Sequence, residues 1–550
     1  MLTSARPSLR LCSCNGVVVV LLAAVVLFGL KAANAQDANA QEKADRETAD
    51  QIRDAALNHS QITEMLGYFT DVIGPRLTGA PNLKRAEEYA LGRLREWGLA
   101  NAHLEAWGPF GRGWTLTSFT ANMTSPEFSP LIAYPKAWSP GTNGVVRGEP
   151  VFLDVKTVSD LESYRGKLRG KIVLFGPARH VDPLFEPPAH RQSDEDLLRL
   201  ASVPPTQARP FQLSSERRQT EQLNYQKWEF IKSEGAAVVL QPSLRDAGTL
   251  YVTSATVPYP PDVPFDQRKG AWDPSRPTVV SQVVVAAEQY NRIARLAARG
   301  IAVELEINVA VRFYDDDPMS YNVIAQIPGT DLKDELVMVG SCIDSWHAGT
   351  GATDNAAGAA TALEVVRILE ALKLKPRRTI RIGLWSAEEQ GALGSRAYVA
   401  AHFAKEKDAA DGQSGSGKVD LQAQYENFDA YFNFDYGTGR IRGIYLQGNE
   451  AAGPIFRTLL EPFKDWGAST LSLASLGGDH ASFDEVNLPG FQWIRDYMEG
   501  DNTRAAHTNM DTYDHVLEED LKQSVAVAAY IIYELAVRDD KVPRKPARAR

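Results

Sequence analysis

Cysteine is nearly absent: three occur in 550 residues, at positions 12, 14 and 342. Too few lie beyond the N-terminus to form an intramolecular disulfide there, so stability has to come from a packed core. Long apolar runs are also missing. The uncharged stretch 17–30 (VVVVLLAAVVLFGL) has 14 residues, short of the roughly 20 that a helix needs to cross a bilayer. Basic residues do not dominate: 59 Lys and Arg face 69 Asp and Glu, a formal charge of −10. A nucleic-acid partner, which needs a basic surface to displace counterions, is therefore disfavoured. The 41 glycines and 31 prolines are ordinary globular usage, which excludes collagen-like and low-complexity chains. No repeat of solenoid period is present.

What is present begins with a leader. Arg6 and Arg10 precede the apolar run and Ala33-Asn34-Ala35 follows it, the pattern of a signal peptide cleaved after Ala35. The expectation is a secreted or periplasmic protein with no stable membrane anchor after cleavage. Cys12 and Cys14 would leave with residues 1–35, making Cys342 the single thiol of the mature chain.

The length exceeds what one core serves, so at least two domains are expected. Residues 51–107 read as amphipathic helices, and residues 36–117 as an N-terminal helical part of the catalytic domain. From 118 to 312 short β-type runs broken by Gly and Pro (EPVFLDV, KIVLFG, AAVVLQ, VELEINVAVRF) predict an inserted β-rich domain. Residues 181–228 within it, rich in Pro, Arg and Glu, read as a long loop excursion. From 313 to 540 strand and helix patterns alternate, which predicts an α/β fold with a mostly parallel sheet flanked by helices. The segment 408–420 reads as a polar loop, Asp315-Asp316-Asp317 as a solvated interdomain loop, and the basic tail 541–550 as a solvated end.

Acids and imidazoles gather where strands are predicted to end: Asp344 after ELVMVGS, Asp354 in the next loop, Glu388 and Glu389 after TIRIGLW, Asp435 after YFNF, and later His507. The carboxyl ends of strands form the ligand crevice of open α/β sheets. Carboxylates crowded there repel one another, and bound cations are the usual compensation. Asp, Glu and His together suit zinc. Singly, each residue has a plainer reading: Asp354 as a helix cap, the Glu pair as a solvated turn, Asp435 as a turn residue, His507 as a surface histidine.

The blocks Ser341-Cys342-Ile343-Asp344, Gly349–Gly358, Trp385-Ser386-Ala387-Glu388-Glu389, Asp435 and His507–Thr512 together closely resemble metallopeptidase family 28, the co-catalytic zinc exopeptidases, and its carboxypeptidase Q branch. By that resemblance the chain has the zinc exopeptidase fold and residues 118–312 form a protease-associated domain. Asp354 would bridge two zinc ions, Asp435 would complete one site, and Glu389 with His507 the other. Glu388 would be the general base, and Asp344 would orient the ligand at position 342. The activity implied is hydrolysis of short peptides near one end, as an aminopeptidase, carboxypeptidase or dipeptidase.

One position departs from the family, which has histidine where this chain has Cys342. A thiolate can bind zinc, but its donor atom sits roughly an ångström nearer the backbone than that of imidazole. It also removes one unit of positive charge from the site, so the site keyed to Cys342 is expected to be weakly occupied or empty. His347 is a candidate substitute donor, although a loop role without metal is the simpler reading. His480, in Gly477-Gly478-Asp479-His480, falls in a loop near the family's substrate pocket. Two other readings remain open here: a one-zinc glutaminyl-cyclase-like enzyme, and a non-catalytic peptide-binding relative.

Overall fold

A computed structural model describes residues 46–546 except 184, 186, 188, 206–213, 407–418 and 497–504. The leader 1–35 and most of the polar loop 408–420 lie outside the described residues.

Alternation of apolar residues along strand Leu332–Cys342 sets the layering of the catalytic domain. Val337 and Val339 pack on one face with Ala360, Leu363 and Ile531, while Leu336 and Met338 pack on the other with Trp385 and Tyr431. Period-two burial on both faces is what a central strand covered by helices requires. Eight strands form the sheet in the order 100–107, 320–327, 378–385, 332–342, 428–433, 490–495, 441–445 and 470–472. The four from 378–385 to 490–495 are mutually parallel, with Val339 beside Ile382 and Phe432 beside Phe491. Helices Ala357–Ala371 and Glu518–Val537 cover one face, and Leu393–His402 with Asp479–Asp484 the other. The chain is thus α/β with a largely parallel sheet. Among the described residues no helix is long and apolar enough to cross a membrane.

The structure differs from the sequence reading in four places. Residues Ala100–Trp107 are a strand rather than helix, and pair antiparallel with Ser320–Ile327. The preceding helix ends at Glu96, and Gly98 (φ 86°) turns the chain back onto the sheet edge. The insertion is not simply β-rich. It opens with strand Gly113–Ser125, pairs it antiparallel with Glu304–Tyr314, and adds a second sheet of five strands, four of them parallel. Residues 181–228 hold helices rather than only loop: Asp194–Ala201 behind a Ser193 capping box, and Ser215–Glu234, which runs past that span and is capped by Ser214. The second buries only Lys227, Trp228 and Ile231, too few apolar positions to mark a stripe. Finally, the tail is docked as far as it is described. Val542 is buried and its N–H donates to Asp429 Oδ1 at 2.7 Å.

Candidate metal and active site

The parallel strands deliver the predicted residues to one end of the sheet. Cys342 ends its strand, Glu388 and Glu389 follow Arg378–Trp385, and Asp435 follows Phe428–Asn433. Ala387 takes a left-handed conformation (φ 58°), which breaks the strand and turns the two glutamates out of it. Asp354 sits in the segment that enters helix Ala357–Ala371, and that helix must lie close to the strand end. A Cβ on Gly358 would come 2.3 Å from Asn355 Oδ1 and 2.5 Å from Ser341 Oγ, so only glycine fits there.

Two groups of donors, among the described residues, each converge to within 4.8 Å: Cys342, Asp354 and Asp435, and Asp354, Glu389 and His507. Asp354 belongs to both. His507 Nε2 lies 2.9 Å from Asp354 Oδ2 and 3.1 Å from Glu389 Oε2. Glu389 Oε1 is buried without a hydrogen-bond partner, a cost that an ion bound between the carboxylates would remove. The donor types, the shared carboxylate and this orphaned oxygen fit zinc.

Cys342 lies among the other donors. Its Sγ lies 3.6 Å from Asp435 Oδ1 and receives the Asn355 side-chain amide at 3.1 Å. The thiol is fully buried. His347 is not a substitute ligand: its Nε2 donates to the Pro135 carbonyl at 2.8 Å, and its ring sits edge-on to Trp114 and Tyr134 of the insertion. His480 is buried beside Gly478, whose Cβ position would lie 2.9 Å from Asp435 Oδ2.

Asp344 is held beneath the glutamate turn. Its carboxylate accepts from the N–H of Glu388 at 3.1 Å, the N–H of Glu389 at 3.4 Å and the Thr78 hydroxyl at 2.9 Å. It therefore holds the glutamate turn. Buried Arg76 stitches the neighbouring loops, donating to the carbonyls of Ile343, Thr350 and Gly351.

Burial and crowded charge govern protonation. Burial, then Asp435 and Asp479, push the Glu388 carboxyl well above the carboxylate range. Burial and Asp354 push Glu389 up to about 8. Burial and Asp435 raise the Cys342 thiol well above its ordinary value. For His507 burial acts downward, but Glu389 and Asp354 outweigh it and hold the imidazolium charged. A cationic centre is what this set of groups is built around.

A cavity of about 400 Å³ opens over the site, lined by Asp354, Glu388, Glu389, Asp435 and His507, with Gly391, Tyr436 and Ala506. Two further lining residues, Arg245 and Tyr251, come from the insertion. Tyr251 Oη lies 3.2 Å from His507 Nδ1. Sequence reasoning missed both, because no local pattern marks a residue that acts across a domain boundary.

Residues 322–532 match the family model for peptidase family M28. Carboxypeptidase Q of Pongo abelii is 23% identical across 485 residues, 88% of this chain and 86% of that protein. The crystal structure of a peptidase M28 precursor from Shewanella amazonensis SB2B superposes with a TM-score of 0.62 at 22% identity, covering 92% of this chain and 100% of its own. A zinc aminopeptidase from Bacillus subtilis superposes with a TM-score of 0.52 at 18% identity, covering 87% and 95%. At these identities the two structures establish the shared fold.

Proposed function

We propose, from the match of residues 322–532 to the model of peptidase family M28 and the likeness of most of the chain to carboxypeptidase Q, that this chain is an exported zinc exopeptidase hydrolysing short peptides. The observation that carries the reading is Asp354, one carboxylate common to both donor groups, with Glu388 on the wall of the same cavity. Asp354, Asp435 and Cys342 would hold one zinc ion, and Asp354, Glu389 and His507 a second. Zinc supplies polarisation of the scissile carbonyl and acidification of the attacking water.

The protein's own residues do the rest. Glu388 takes the proton from the attacking water and passes it to the leaving amine. Asp344 keeps Glu388 and Glu389 on diverging sides of their turn through the two N–H bonds. Tyr251 fixes the His507 ring by its bond to Nδ1. The cavity volume suits a substrate of a few residues, and the names of the relatives, a carboxypeptidase and an aminopeptidase, support peptide substrates. Export rests on Arg6, Arg10, the apolar run and Ala33-Asn34-Ala35.

The test is release of free amino acids from unblocked dipeptides by purified mature protein, with zinc measured by elemental analysis. Activity should disappear on chelation, return with zinc, and track two equivalents per chain. Cyclisation of N-terminal glutamine peptides with one equivalent would establish a cyclase instead, and peptide binding without turnover a non-catalytic relative.

A further inference from the structure

A second cavity, of about 210 Å³, lies where the insertion rejoins the catalytic domain. Its walls come from the first two turns of helix Pro81–Glu96 and from the link between strands Glu304–Tyr314 and Ser320–Ile327. It shares no lining residue with the catalytic cavity.

Glu87 sets its chemistry. The side chain lines the cavity, is 2% exposed, and forms no hydrogen bond or ion pair among the described residues. Burial, and then Asp344, push its carboxyl well above the carboxylate range. A buried acid without a partner is costly, and a cation is the group that relieves it. Lys84, one turn earlier on the helix, is exposed and makes no ion pair with it.

The rim adds two more acids. Arg112 pairs with Asp315, but Asp316 has no cationic partner among the described residues. Asp317 is fixed by the Met319 N–H at 3.0 Å and the Tyr321 hydroxyl at 3.1 Å. The link itself is tied down, because the Pro318 carbonyl accepts the N–H groups of Phe110 at 2.8 Å and Gly111 at 3.3 Å. The walls are therefore in place before anything binds, so little ordering cost falls on binding. Between floor and rim the lining is apolar, from Pro81, Leu83 and Met319. No single metal ion meets the three carboxylates: among the described residues only the two donor groups of the catalytic site converge within 4.8 Å. An acid at the floor, apolar wall, then acids at the rim is the complement of an aliphatic chain with a cation at each end.

We propose that this cavity binds a small aliphatic diamine, with one ammonium on Glu87 at the floor, the methylenes along Leu83 and Met319, and the second ammonium at Asp316 and Asp317 on the rim. The site stands apart from the catalytic cavity and does not depend on the peptidase reading.

The test measures, by calorimetry, binding of the α,ω-diamines of propane, butane and pentane, of butylamine, and of calcium chloride to the zinc-loaded mature protein. The best diamine should bind at least about 10-fold more tightly than butylamine, the scale of one charge-assisted contact. E87Q should weaken diamine and butylamine alike by at least about 10-fold. D316N should bring the diamine down towards butylamine and leave butylamine unchanged; lying on the exposed rim, it keeps the test decisive should E87Q not fold. Absence of saturable diamine binding, or affinities unchanged in both variants, overturns the proposal, the latter assigning the amine to the acids of the catalytic cavity. Calcium binding that depends on Glu87, with no binding of diamines, would make this an inorganic cation site instead. Diamine binding that appears only in K84M would show that Lys84 is the partner of Glu87 and that the cavity takes no ligand.

Discussion

The hydroxyl of Tyr251 stands 3.2 Å from Nδ1 of His507, a bond between the insertion and the catalytic domain across 256 positions of sequence. With Nε2 facing Asp354 and Glu389, the Nδ1–H donates to the phenol oxygen, which sets the ring's rotation. Tyr251→Phe should weaken zinc binding about 10- to 100-fold, the usual effect of removing such a partner. Competition with a chromogenic chelator measures it, and an unchanged affinity would show that packing alone orients the ring.

Glu388 and Glu389 are adjacent, yet their replacements should separate. Glu388→Gln keeps the shape but cannot accept a proton, so hydrolysis should fall by about 10²- to 10⁴-fold at nearly full zinc content. Glu389→Gln should instead release zinc, because the buried Oε1 and the oxygen facing His507 belong to the donor set. Paired activity and elemental analysis decide it. Near-normal turnover in Glu388→Gln would remove that residue as the base.

Cys342 should behave as a ligand of one site only. Cys342→Ser exchanges a thiolate for a hydroxyl that stays protonated, so zinc should drop from two equivalents to one while the Asp354, Glu389 and His507 group keeps its ion. Because the thiol is fully buried, iodoacetamide should leave it unmodified with or without zinc in the folded protein. Two equivalents retained by Cys342→Ser would mean that the sulfur is not a donor.

His347 predicts a pH dependence of stability. Burial holds its imidazole down at about 4, against 6.5 in an unfolded chain. Between those values the unfolded state binds the extra proton, so stability is fully present above pH 6.5 and is lost as pH falls towards 4. The loss amounts to roughly 3 kcal/mol by linkage. His347→Gln retains a donor for the Pro135 carbonyl without titrating. Its Tm should therefore fall less than that of the wild type between pH 7 and pH 4.5 in scanning calorimetry, and equal slopes would exclude this role.

Much of the catalytic half was legible in the sequence because its cues are local. Strands such as Arg378–Trp385 and helices such as Ala357–Ala371 carry their own periodicity, and every proposed ligand or base sits at the end of such an element or in the loop after it. Polar segments were harder. Ser215–Glu234 buries one side of a charged helix against the insertion, so its pattern is weak. Ala100–Trp107 becomes a strand because the edge of the sheet at Ser320–Ile327 is there to receive it.

What the sequence determined by itself is the set of chemically able residues and their order along the chain: Cys342, Asp344, Asp354, Glu388, Glu389, Asp435 and His507. Only the tertiary structure decided what each one faces. It set Asp344 under the N–H groups of the glutamate turn, drew His347 to Pro135, and brought Arg245 and Tyr251 from the insertion to the cavity beside His507. Those outcomes depend on contacts between residues far apart in the chain, whose energies arise from burial and hydrogen bonding that form only when distant segments pack, and no local spacing encodes them.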